Sequence, residues 1–170
     1  IYYAGHGELD KQTDNGYWLP IDADPKIPNR WISDVDIKSN LRAIKAQHIM
    51  VIADSCFSGK LLRNISKIDL VDLKKKALLK KLLDKKIRVA LTSGGEEPVL
   101  DSGGGKHSIF AKHFIDILKK NSDILSGNKV YNSLKEELIL NAQQTPRYNF
   151  IQNSGSQVDA DYVFVPKKFL

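Results

Sequence analysis

The sequence predicts an α/β domain, a mainly parallel sheet flanked by helices. Three observations carry this expectation. Short apolar runs rich in β-branched or aromatic residues recur at 1–3, 49–52, 87–93 and 161–166. Stretches with helical spacing separate them. Two of the runs, at 49–52 and 87–93, lead into loops of small residues. With 170 residues, 42% hydrophobic and 27% charged, the chain is large enough and ordinary enough to bury one core as a single domain.

The elements follow in order. Ile1-Tyr2-Tyr3 reads as a buried strand closed by Ala4-Gly5. After a polar stretch, Gly16-Tyr17-Trp18-Leu19-Pro20 reads as a short strand or hairpin arm. The run SDVDIKSNLRAIKAQ from Ser33 predicts a helix: Ser33 is a suitable cap, Asp34 and Asp36 suit the positive end, and Val35, Leu41 and Ile44 lean to one side. The strand at 49–53 precedes the loop that carries Cys56. In residues 67–86, Leu78, Leu79, Leu82 and Leu83 share one face of an amphipathic helix. The strand IRVALTS follows, then a Gly-rich loop, helices at about 108–120 and 130–142, an irregular stretch after Pro146, and a last strand at 161–166.

Charge is unevenly placed. The net charge of +6 comes from the segment between Lys60 and Arg88, which holds 11 basic and 3 acidic residues; the rest of the chain is close to neutral. The Leu stripe in that segment, without interleaved aromatics, favours a solvated helix face over a nucleic-acid surface. No apolar run approaches the roughly 20 residues that span a bilayer, so neither nucleic acid nor membrane is expected as a partner. A single cysteine, Cys56, excludes an internal disulfide and favours a reducing compartment, the cytoplasm. Residue 1 is an Ile within an apparent strand and the only Met is Met50, so the chain reads as part of a longer protein missing its amino-terminal part. A signal peptide is therefore not expected to be visible in it.

The chemistry concentrates on two residues. His6 and Cys56 each follow a predicted strand, 50 residues apart with a helix between. That is the spacing of a crossover between neighbouring parallel strands. Ligand sites form at the carboxyl edge of such a sheet. Cysteine attacks acyl carbons as the thiolate, and a nearby imidazole takes its proton. Gly5 and Gly7 allow a close backbone approach, and the N–H groups of Gly7 and Cys56 can hold a developing oxyanion. Set against this, a lone cysteine at a strand end often serves as a small inert hydrophobe. His48, His107 and His113 read equally as satisfied surface or core residues.

The motifs YYAGHG and, some 50 residues later, DSCFSG resemble those of the caspase-like cysteine peptidases, and within them the metacaspase and bacterial orthocaspase branch. GYWLPIDAD, VALTSGGEEPVLDSGGGKHSIFAKHF and TPRYNF…DYVFVP extend the resemblance over nearly the whole chain. The resemblance implies a caspase-like fold lacking its first strand and helix. It also implies cysteine endopeptidase activity with His6 as base and Cys56 as nucleophile. In that family the side chain two before the cysteine lines the pocket for the residue preceding the scissile bond. Here it is Asp54, which would attract Lys or Arg and repel Asp, with Ala4 as a further substrate contact. The second acid that such members carry on their first strand is missing. No third residue obviously orients His6, so a dyad is the sparer expectation.

Other readings fare worse. GGGKHS lacks the Ser/Thr after its Lys and the first Gly of a phosphate loop. The His, Cys and Asp residues show no metal-ligand spacing, and no nucleophile elbow surrounds Ser55 or Ser58. Glu96, Glu97 and Asp101 either lend negative potential to the cleft or form a polar surface loop. Asp22 and Asp24 read as turn residues rather than calcium ligands. No cofactor is expected, and the substrates are proteins or peptides with basic residues. The seven lysines between Lys74 and Lys86 offer a self-cleavage site, best at Lys74-Lys75-Lys76 where the Leu stripe is interrupted. The rival to an enzyme is a catalytically silent caspase-like scaffold.

Overall fold

A computed structural model describes residues 1–55, 58–62, 76–95, 107–141, 144–157 and 159–169. Its central sheet is mixed and mainly parallel. Strand β1 (Tyr2–Ala4) runs parallel to β5 (His48–Asp54), which runs parallel to β6 (Ile87–Thr92). The fourth strand, β8 (Arg147–Phe150), is antiparallel to β6 and closes the order β1-β5-β6-β8. A hairpin of β2 (His6–Asp10) and β3 (Asn15–Leu19), extended by β4 (Ile32–Ser33), forms a second sheet. Strands β7 (Leu125–Ser126) and β9 (Val163–Phe164) form a small third one.

Helices cover both faces of the central sheet, as α/β layering requires. On one face lie α3 (Ile109–Lys120) and α4 (Gly127–Asn141). Val130, Leu134 and Leu138, spaced four apart on α4, bury fully against Val89, Leu91, Phe110 and Phe150. Each such side chain contributes about 1.5–3 kcal/mol by leaving water. On the other face, α1 (Asp34–Ala43) brings Leu41 against Ile49, Val51 and Ala90. Helix α2 (Lys76–Leu83) buries Leu82 in the first of these cores. Among the described residues no helix is long and apolar enough to cross a membrane.

Several sequence expectations change. The first strand is not buried: Ile1 and Tyr2 are 60% and 52% exposed, because β1 lies at the edge of the sheet. The stretch after Pro146 is a strand. Arg147–Phe150 points Tyr148 and Phe150 inward and leaves Arg147 outside, a period-2 pattern too short to stand out in sequence. The last strand shrinks to Val163–Phe164 and pairs with β7, not with the central sheet. Helix α1 is capped by Ser33 as expected, but Val35 and Ile44 are exposed and only Leu41 of the three is buried. Leu83 is likewise exposed while Leu82 is buried. Helix α4 begins at Gly127, three residues before the expected start. Lys74 and Lys75, with the rest of residues 63–75, lie outside the described residues.

Candidate active site

The register of the parallel strands sets the site. Ala4 on β1 stands beside Asp54 on β5, at the carboxyl edge of the sheet. Two residues further along each chain lie His6 and Cys56. His6 does not simply end the first strand. The chain leaves β1 at Ala4, bends at Gly5, and His6 opens the β2–β3 hairpin opposite Leu19. Cys56 and Phe57 lie outside the described residues, as do Glu96, Glu97 and Asp101.

Tyr3 secures that bend. Its hydroxyl donates to the His6 carbonyl at 2.7 Å and accepts from the Leu19 N–H at 3.0 Å. Its ring stacks on Trp18, with centroids 4.2 Å apart. A Cβ at residue 5 would sit 2.8 Å from the Tyr3 hydroxyl oxygen, so any other residue here displaces the end of the Tyr3 side chain. The backbone carrying His6 is thus fixed by one side chain from the strand before it. Gly7 follows in β2, opposite Trp18.

A cleft of about 420 Å3 opens at this edge, lined by Tyr2, Ala4, His6, Asp54, His107 and Ser108, with Gly5 and Ala111 completing it. Ala4, His6 and Asp54 therefore share one cavity, while Gly7 is not part of its lining. His6 and His107 are exposed, and Asp54 is 8% exposed. The Asp54 carboxylate accepts a short hydrogen bond from the Ser108 hydroxyl. Tyr2 hydrogen-bonds the same carboxylate, and its pKa is raised, first by burial and then by the Asp54 charge. Sequence reasoning passed over Tyr2, Tyr3 and Ser108. For Ser108 a signal existed, a serine directly ahead of an apolar helical run.

The remaining candidates separate from the cleft. Asp22 accepts from Arg30 at 2.8 Å and Asp24 from the Lys26 N–H at 2.8 Å, which makes them turn and surface residues. His48 lies 3.1 Å from the Leu83 carbonyl, and His113 lies 3.8 Å from Glu137. Ser55 is fully buried. Among the described residues, no three His, Cys, Asp or Glu side chains group as a metal site would require.

The cleft thus combines an exposed imidazole and a buried acid among its lining residues. The Peptidase_C14 family model, described as the caspase domain, matches residues 1–161. No curated protein matches the chain.

Proposed function

This chain belongs to the caspase-domain family of cysteine peptidases, and on that premise we propose that it is an endopeptidase of the metacaspase-like branch that cuts after Arg or Lys. The observation that carries the proposal is the β1–β5 register. Ala4 and Asp54 are paired, and His6 and Cys56 each follow by two residues. Parallel strands in that register bring their following loops to the same edge.

The chemistry is acyl transfer by a dyad. His6 takes the thiol proton of Cys56, and the thiolate sulfur attacks the carbonyl carbon before the scissile bond. The N–H groups of Gly7 and Cys56 hold the oxyanion while the tetrahedral adduct exists. His6 then gives its proton to the leaving amine, the C–N bond breaks, and a thioester remains. Water, deprotonated by His6, hydrolyses the thioester and returns the thiol. Asp54 at the base of the cleft receives the basic side chain, with Ala4 beside it and the Tyr2 ring as one wall. The enzyme needs no cofactor for these steps and works on proteins or peptides in the cytoplasm.

Cys56→Ala and His6→Ala each abolish peptide cleavage with the fold intact, and the double variant is no worse, because the two residues act as a unit. Peptide turnover by Cys56→Ala at the parent rate overturns the proposal. Alkylation with an iodoacetamide reagent at about pH 6 separates the enzyme from a silent scaffold. An activated thiolate reacts far faster than a free thiol of pKa about 8.5; reaction at the free-thiol rate favours the scaffold.

A further inference from the structure

We infer that Ser108 is a positioning residue for substrate choice: its hydroxyl orients the Asp54 carboxylate towards a basic side chain in the cleft. The inference rests on the reading of Asp54 as the acid that selects Arg or Lys, and it adds what holds that acid in place. A carboxylate turns easily about its last torsion, since that sp3–sp2 rotation has no sharp minima. Its direction in a binding site is set by its partners. Asp54 has two partners among the described residues, the hydroxyls of Ser108 and Tyr2.

Of the two, Ser108 is the better anchored. Its backbone is extended at the start of α3, and its Oγ accepts from the Ala111 N–H at 2.9 Å as the helix cap. A capping serine needs only its acceptor lone pairs for that duty. Its hydroxyl proton is spare, and here it reaches across 54 residues of sequence to Asp54. The rigid first turn of α3 thereby fixes one carboxylate oxygen. Tyr2, half-exposed on the edge strand, is the weaker tether. An acid with no cationic partner among the described residues, held by two hydroxyls and lining a cleft, keeps capacity for a cationic ligand.

The test exploits a difference between two duties of one residue. Glycine caps a helix nearly as well as serine but has no hydroxyl to donate. The full chain is assayed on reporter peptides with arginine or citrulline, its uncharged near-isostere, before the scissile bond. Ser108→Gly is expected to lower the arginine-over-citrulline ratio in kcat/KM roughly tenfold, through KM for the arginine peptide. Ser108→Thr, which keeps the hydroxyl, retains the parent ratio. Ser108→Ala, a poorer cap, gives the glycine ratio at a lower Tm, so either variant carries the test. A parent ratio in Ser108→Gly, with the ratio lost in Asp54→Asn, overturns the role of Ser108 alone. A ratio near one in the unmutated protein overturns both readings.

Discussion

Arg88 and Asp54 are charged side chains buried on neighbouring strands, one near the amino end of β6 and the other at the carboxyl end of β5. Arg88 is fully buried, and all five of its guanidinium N–H donors are used. They reach the carbonyls of Leu41, Ile44, Ala46, Gln47 and Ile87 at 2.6–3.0 Å. Burial lowers its pKa from the ordinary guanidinium value, yet the carbonyls hold it as a cation. Arg88 thereby replaces water at the end of α1, where the last carbonyls have no helical partner. Asp54 is held by two hydroxyls and still faces a cleft. The difference separates a charge whose partners are all supplied by the fold from one whose partner list is left open. The first kind is architecture, and the second is where a ligand fits.

The strongest way to break the comparison is to remove the sealed charge. Arg88→Met leaves the carbonyls of Leu41 in the last turn of α1, of Ile44 and Ala46 after it, and of Ile87 without their guanidinium donor, and should cost about 3–5 kcal/mol in urea unfolding. Arg88→Lys should recover little of it, since one ammonium carries three donors. The arginine-over-citrulline ratio of the protein that remains folded should not move. Loss of that ratio with little loss of stability would reverse the assignment of the two roles.

Removing the open charge should do the opposite. Asp54→Asn is expected to cut the arginine-over-citrulline ratio about 100-fold while stability changes by less than about 1 kcal/mol. A parent preference for Asp over Arg would contradict the pocket outright.

A third buried charge tests whether sealing leaves its own mark. Asp161 is fully buried and accepts from the Tyr148 hydroxyl at 2.5 Å, the Tyr162 N–H at 2.8 Å and the Asn128 N–H at 3.1 Å. Burial raises both pKa values of this pair, with the Asp161 charge adding to the rise at Tyr148. Folded Tyr148 therefore keeps its proton above the ordinary value of 10.0, where the unfolded chain has lost it. The folded state binds more protons there, so stability falls as pH rises past that value, by up to about 1.4 kcal/mol per pH unit. Tyr148→Phe should flatten this alkaline limb in urea titrations. For Asp161 the same sign puts its contribution below the ordinary carboxylate value, lost as pH rises through its raised one, and Asp161→Asn should remove that dependence. An unchanged alkaline slope in Tyr148→Phe would contradict the sealed pair.

The smallest effect belongs to the other end of α1. Ser33 caps it by accepting from the Asp36 N–H at 3.0 Å, in the open. Ser33→Ala should cost about 1 kcal/mol, well below the loss at Arg88, because water replaces one exposed cap more readily than five bonds from a fully buried guanidinium.

The sequence by itself determined what depends on neighbouring residues. The caps at Ser33 and Ser108, the strands at 48–54 and 87–92, and the apolar stripe of α3 are legible because periodicity and capping act within one or two turns. The two motifs that carry His6 and Cys56 are legible for the same reason. Only the tertiary structure decided which faces are covered and which charges meet. Val35 and Leu83 have the right spacing for a core, yet they stand 51% and 42% exposed. Arg88 counted as one of 11 basic residues in a solvated segment, yet its carbonyl partners outside its own strand end lie 41–47 residues away. Residues 147–150 became a strand because β6 offered an edge, not because four residues prefer that state alone. The tether between Ser108 and Asp54 spans 54 residues for the same physical reason. Local propensity selects an element, but the partner of a buried polar group is whatever the packed chain brings within 3 Å of it.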